Sequence, residues 1–347
     1  AGGMERVMSD LAKPFAKRPD IDVHLIIYGI YRDIFYQLDN RIFVHRPPFS
    51  FNNRWRFFYT LKTLYYLRVT IKKIKPHSIL SFGEYWNNFF LLSIIGLKYP
   101  AFISDRSQPD KSLGWFHDAL RHWLYKRAKG LILQTEKARE IFLKRNYHPN
   151  IAVIGNPINN YDTSKIYFKR EKIVLTVGRL IKTKNHDLLI EMFAKVSPPD
   201  WKLIVVGYDH LKQHNLDRLK DLAKDLNMEG RIFFMGKIDN VEEMYLRSSI
   251  FAFTSSSEGF PNVIGEAMAG GLPVIAFDCI AGPSEMISDG YNGYLVPLFD
   301  KHQFETKLLR LMEDEVHRED LGKNARSSIT RFSSRNVCEA FENFILS

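Results

Sequence analysis

The chain has 347 residues, 45% of them hydrophobic and 25% charged, a globular composition that excludes collagenous and low-complexity architectures. That length exceeds what one core usually supports, so two domains are expected. The formal charge of +10 is uneven: residues 1–170 carry 28 Lys and Arg against 13 Asp and Glu, and residues 171–347 carry 21 against 26.

The basic first part calls for an anionic partner, either nucleic acid or an anionic membrane surface. Two cysteines, Cys279 and Cys338, make no disulfide framework and fit a reducing compartment. The absence of CxxC, HExxH and acidic calcium-loop patterns leads us to expect no metal. No apolar run approaches the roughly 20 residues that span a bilayer; the longest, Phe89–Leu97, reads as a buried element. A secretory leader is not evident.

In chain order, Ala1-Gly2-Gly3 reads as a loop that follows an absent first strand, so the native polypeptide is expected to extend further at this end. A helix then opens with one apolar stripe, Met4, Val7, Met8, Leu11 and Phe15, and Pro14 kinks its end. A strand is expected at Val23–Tyr28. Phe49–Lys75 mixes aromatics with bases at helical spacing. Such a helix could lie in a bilayer interface or pack its aromatics on the sheet, and the two readings are compatible if the aromatics turn inward while the bases face lipid. Further strands are expected at Ser78–Phe82, Ala101–Ser104, Gly130–Gln134 and Ala152–Ile154.

Asn156–Arg170 is polar and irregular, and the pattern restarts near Lys172. The boundaries drawn there are 1–165, 166–330 and a closing helix, 331–347, that returns to the first domain. Strands Ile173–Val177, Lys202–Val206, Ile232–Met235, Ile250–Thr254 and Pro273–Phe277 alternate with helices such as His186–Val196, Leu216–Leu226 and Val241–Ser248. Short apolar strands joined by helical crossovers imply two doubly wound parallel sheets, with ligands bound in a cleft at the strands' carboxyl ends.

Three segments carry chemistry. Ser255–Glu266 runs from a strand through a turn into a helix, where Gly259, Phe260, Pro261, Asn262 and Val263 would present amides to a phosphate or sugar oxygen. Glu258 and Glu266 could then meet one ligand at two points. Arg179, just past Gly178, and Lys184 lie five residues apart after a strand, a fork and a point charge suited to a diphosphate. Lys182 reads as solvated. Gly236-Lys237-Ile238 follows another strand and is either a base pocket or a plain turn. Asp105-Arg106 is open: Asp105 could orient an acceptor hydroxyl, Arg106 could hold an acceptor phosphate, or the two could form a structural pair.

The Glu258-x7-Glu266 string resembles the signature of retaining glycosyltransferase family 4, of GT-B fold. Gly2-Gly3-Met4-Glu5-Arg6, Asp105-Arg106-Ser107-Gln108-Pro109, Ile154–Ile158, Val177–Leu180 with Lys184, Ala281–Glu285 and Asp289–Gly293 are similar to that family's landmarks in order and spacing. The resemblance implies two Rossmann-like domains, with an acceptor site in the first and a nucleotide-sugar site in the second. It implies donor contacts at Gly3, Gly178, Gly236, Ile238, Gly259–Val263 and Glu266, and acceptor contacts at Gly2 and Arg106. Glu258 would lie beside the donor sugar and Glu266 would bind the ribose. Arg179 and Lys184 would stabilise the leaving phosphate without a metal or other cofactor. Front-side retaining transfer from a UDP-sugar onto a polyprenyl-diphosphate or other lipid-linked acceptor, at the inner face of the cell membrane, is the reaction implied.

Relatives often place a histidine where this chain has Asp105-Arg106, which leaves the first domain's catalytic part open. Three alternatives stand beside the transferase: a nucleotide-sugar 2-epimerase of the same fold, a non-catalytic anion binder, and an inactive relative. No nucleic-acid motif is present.

Overall fold

The computed structural model describes residues 3–30, 34, 36–162, 169–209 and 214–347. The chain forms two compact units, residues 1–157 with 334–347 and residues 158–333. The junction thus falls at Pro157–Ile158, ahead of the 165/166 boundary drawn from composition. Ile158 is already anchored in the second unit: its N–H donates to the Phe332 carbonyl at 2.8 Å, and its side chain is buried.

Unit 1 runs α1 (Gly3–Ala16), β1 (His24–Ile26), β2 (Phe43–His45), α2 (Arg56–Ile74), β3 (Ile79–Phe82), α3 (Glu84–Ser93), β4 (Ala101–Ser104), α4 (Trp115–Leu124), β5 (Gly130–Leu133), α5 (Glu136–Lys144) and β6 (Ile151–Val153). Among the described residues its strands pair in parallel as β1-β2 and β3-β4-β5-β6. Successive residues of β5 point to opposite faces. Ile132 joins Val7, Leu11 and Phe82 under α1. Leu131 and Leu133 join Ile71, Phe90 and Leu124 under α2, α3 and α4. Pro14 lies inside α1, which ends two residues later at Ala16.

Thr63, Leu67 and Ile71, four residues apart, are the buried positions of α2. Phe57 is 79% exposed and Tyr65 70%, whereas Tyr59 and Tyr66 are half-buried, so the most exposed aromatics of α2 do not pack on the sheet. Between the edges of β1 and β3 lies a cavity of about 310 Å³ lined by both strands and by apolar side chains of α1, α2 and α3.

Unit 2 runs β7 (Ile173–Val177), α6 (His186–Val196), β8 (Lys202–Val206), α7 (Asn215–Asp225), β9 (Ile232–Gly236), α8 (Val241–Arg247), β10 (Ile250–Phe253), α9 (Asn262–Ala269), β11 (Val274–Asp278), α10 (Pro283–Met286), β12 (Gly293–Pro297), α11 (Lys301–Glu313) and α12 (Glu315–Ile329). The strand order is β12-β11-β10-β7-β8-β9, all parallel. Chain direction across the sheet reverses between β7 and β10, which is where doubly wound folds bind ligands.

The chain then enters α13 (Ser334–Ile345), which belongs to unit 1. Its buried Val337, Cys338 and Phe341 complete the cluster under α1.

Candidate active site

The loops after β7 and β10 flank the reversal point of the unit 2 sheet, and hydrogen bonds stitch them together. The Thr254 hydroxyl donates to the Lys184 carbonyl at 2.9 Å, and the Asn185 amide donates to the Thr254 carbonyl at 2.9 Å. The Ser256 N–H donates to the Thr183 carbonyl at 2.9 Å. Asn185 can turn the chain into α6 because it adopts the left-handed region, φ 49°, which asparagine tolerates.

This framework brings Lys184 and Glu258 together. The Lys184 ammonium donates to Glu258 Oε1 at 2.5 Å, with both side chains largely buried. It also lies 5.3 Å from the Phe253 ring centroid. Arg179 is exposed at the end of β7 and makes no ion pair among the described residues. Gly178 lies against the Lys184 methylenes. Behind it, Gly207 is required: a Cβ there would sit 1.8 Å from the Gly178 carbonyl oxygen.

The turn into α9 is held from below. Phe260 is buried and meets Phe332 edge-on at 5.3 Å. Gly282 packs so closely on Pro261 that a Cβ would lie 2.3 Å from its Cδ, and its φ of 109° also favours glycine. Asn262 and Val263 open α9, whose N-cap, Pro261, offers no side-chain hydrogen bond. Glu266 is buried on α9 and accepts the Tyr245 phenol at 3.0 Å. Gly236 closes β9 with φ 65°, and Ile238 is partly buried against the core beneath α9.

His186, the first residue of α6, was not singled out from the sequence. Its ring is buried, and that burial, with the Lys184 charge second, lowers its pKa to about 4. It is therefore neutral near pH 7. Its only sequence signal is a His two residues beyond Lys184.

In unit 1, Asp105 is not an acceptor-facing group. It is 4% exposed and paired with buried Arg121. Its Oδ1 also accepts from the Asn87 amide at 2.9 Å and the Tyr125 hydroxyl at 2.6 Å. Burial raises its pKa, and Arg121 opposes that rise. Its carboxylate is committed to the interior, so the expected acceptor role is corrected to a structural one, and its partner is Arg121 rather than Arg106.

Arg106 is placed differently. Its Nη1 donates to Asn156 Oδ1 at 2.7 Å, and its guanidinium lies 4.9 Å from the Phe82 ring. Its Nε and Nη2 are buried with no hydrogen-bond partner among the described residues. Burial lowers its pKa to about 9. Glu84 fixes the loop: its Oε1 accepts from the N–H groups of Arg106 and Ser107 at 2.8 and 2.7 Å. Gly3 begins α1, and Gly2 lies outside the described residues.

Residues 1–160 match the family described as Glycosyltransferase Family 4, and residues 159–328 the family described as Glycosyl transferases group 1. An amylovoran biosynthesis glycosyltransferase of Erwinia amylovora is 27% identical over 94% of this chain and 90% of its own. An undecaprenol-linked glycan α-1,4-N-acetyl-D-galactosaminyltransferase of Campylobacter jejuni is 25% identical over 99% and 95%. Among solved structures, an Anabaena protein in complex with UDP superposes with a TM-score of 0.81, at 19% identity over 99% of this chain and 96% of that one. At that identity the likeness speaks for the fold.

Proposed function

Since the chain belongs to the family-4 glycosyltransferases of GT-B fold, we propose that it transfers a hexose or N-acetylhexosamine, with retention, from a UDP-sugar to a lipid-linked acceptor at the cytoplasmic membrane face. The supporting observation is the Lys184–Glu258 pair at the reversal point of the unit 2 sheet. Lys184, with Arg179, grips the donor diphosphate, and in doing so exchanges its carboxylate partner for phosphate oxygens. Glu258 is then left beside the sugar. Glu266 meets the ribose, the first-turn amides of α9 meet sugar and phosphate, and Gly178, Gly236 and Ile238 line the donor.

The acceptor hydroxyl oxygen bonds to the anomeric carbon from the face the leaving group departs. The bond from that carbon to the phosphate oxygen breaks, and the hydroxyl proton passes to that oxygen. Arg179 and Lys184 stabilise the charge gathering on the diphosphate, so no metal is called for. Arg106, with two donors unspent, holds an acceptor phosphate. Partners are thus the nucleotide-sugar, a polyprenyl-diphosphate type of acceptor and the membrane, not nucleic acid.

The test is nucleotide release from a panel of UDP- and GDP-sugars. Lys184→Ala should lower turnover about 10²–10³-fold, the size of losing one group that stabilises developing charge. Glu266→Ala should chiefly weaken nucleotide binding. Wild-type kinetics in both variants would sink the site assignment. Conversion of the donor sugar without acceptor would favour the epimerase.

A further inference from the structure

Helices α2 and α4 of unit 1, and the turn before α2, carry exposed aromatics. Trp115 of α4 is 85% exposed, Phe57 of α2 79%, and Trp55, just before α2, 64%. The helices α2, α3 and α4 pack side by side. Their buried positions already serve the core: Leu67 and Ile71 on α2, Phe90 and Leu91 on α3, Leu124 on α4. The outward aromatics therefore contribute nothing to that core, and an apolar face of this extent marks an interaction site. Bases accompany it. Between Asp39 and Glu84 the sequence has nine Lys and Arg and no acid, including Arg54, Arg56 and Lys62.

We infer that the outer face of α2–α4 docks on an anionic lipid surface. This rests on the lipid-linked acceptor reading and names the surface that would bring the enzyme to it. Trp, Tyr and Phe sit at the headgroup level while bases meet lipid phosphates. A protein groove or DNA would not need both.

Flotation of the intact chain with phosphatidylcholine vesicles, with and without one-third phosphatidylglycerol, tests this. Binding should rise about tenfold or more with the anionic lipid. It should fall about tenfold in Trp55→Ser/Phe57→Ser/Trp115→Ser and in Arg54→Gln/Arg56→Gln/Lys62→Gln. Release of UDP from soluble donor should be unchanged in both, and that arm reads the transferase assignment separately. Equal binding to neutral vesicles, variants that float like the parent, or a parent that ignores vesicles and instead self-associates or binds DNA would overturn the inference.

Discussion

At the residue scale, chemistry-bearing side chains divide by what surrounds them. Asp105 and Arg106 are adjacent in sequence, yet one is consumed by a buried pair and the other keeps two donors unspent. No spacing rule shows this, because Arg121 and Tyr125 reach Asp105 through the fold. Asp105→Ala should cost about 3–5 kcal/mol in urea unfolding, because it strands the buried Arg121 charge, while the surviving folded enzyme keeps its donor affinity. His186 gives a pH prediction. The unfolded ring takes up its proton near 6.5 and the folded ring only near about 4. Stability is therefore full above 6.5 and falls as pH drops toward about 4, by roughly 3 kcal/mol in all. Urea midpoints from pH 7 to 4 should show that slope, and His186→Leu should flatten it. Lys184 and Glu258 were each legible as candidates, but their direct contact was not, since 74 residues separate them.

At the element scale, strands buried on both faces were the clearest signal. Ala101–Ser104, Ile173–Val177 and Lys202–Val206 are short, mostly apolar runs, and the structure gives them those limits. Two strands escaped. Phe43–His45 is three residues long with two of them exposed, so its burial leaves no pattern. Gly293–Pro297 begins and ends in turn-forming residues and looks like a loop. The amphipathic α13 was visible, and its Phe341 is fully buried beneath α1. Phe341→Ala should destabilise unit 1 by about 3–5 kcal/mol. The measurement is thermal or urea unfolding followed by a probe in unit 1, and a change under 1 kcal/mol would mean that α13 is dispensable there.

At the scale of the whole molecule, two units built on parallel sheets share the chain, and charge divides between its two parts. If Arg179 and Lys184 supply the positive charge a departing diphosphate needs, chelation with EDTA should leave turnover unchanged; a loss restored by magnesium would mean the cations of the β7 loop do not suffice. By itself, the sequence determined the alternation of strands and helices, the two-unit organisation and the family, because periodicity and short motifs are local and survive without knowledge of neighbours. Tertiary structure alone decided that Lys184 meets Glu258, that Asp105 turns inward, that Phe57 and Tyr65 of α2 face out, and that the chain passes into its second unit at Ile158. Each of these depends on which distant residue occupies the adjoining space, and packing, not sequence order, sets that.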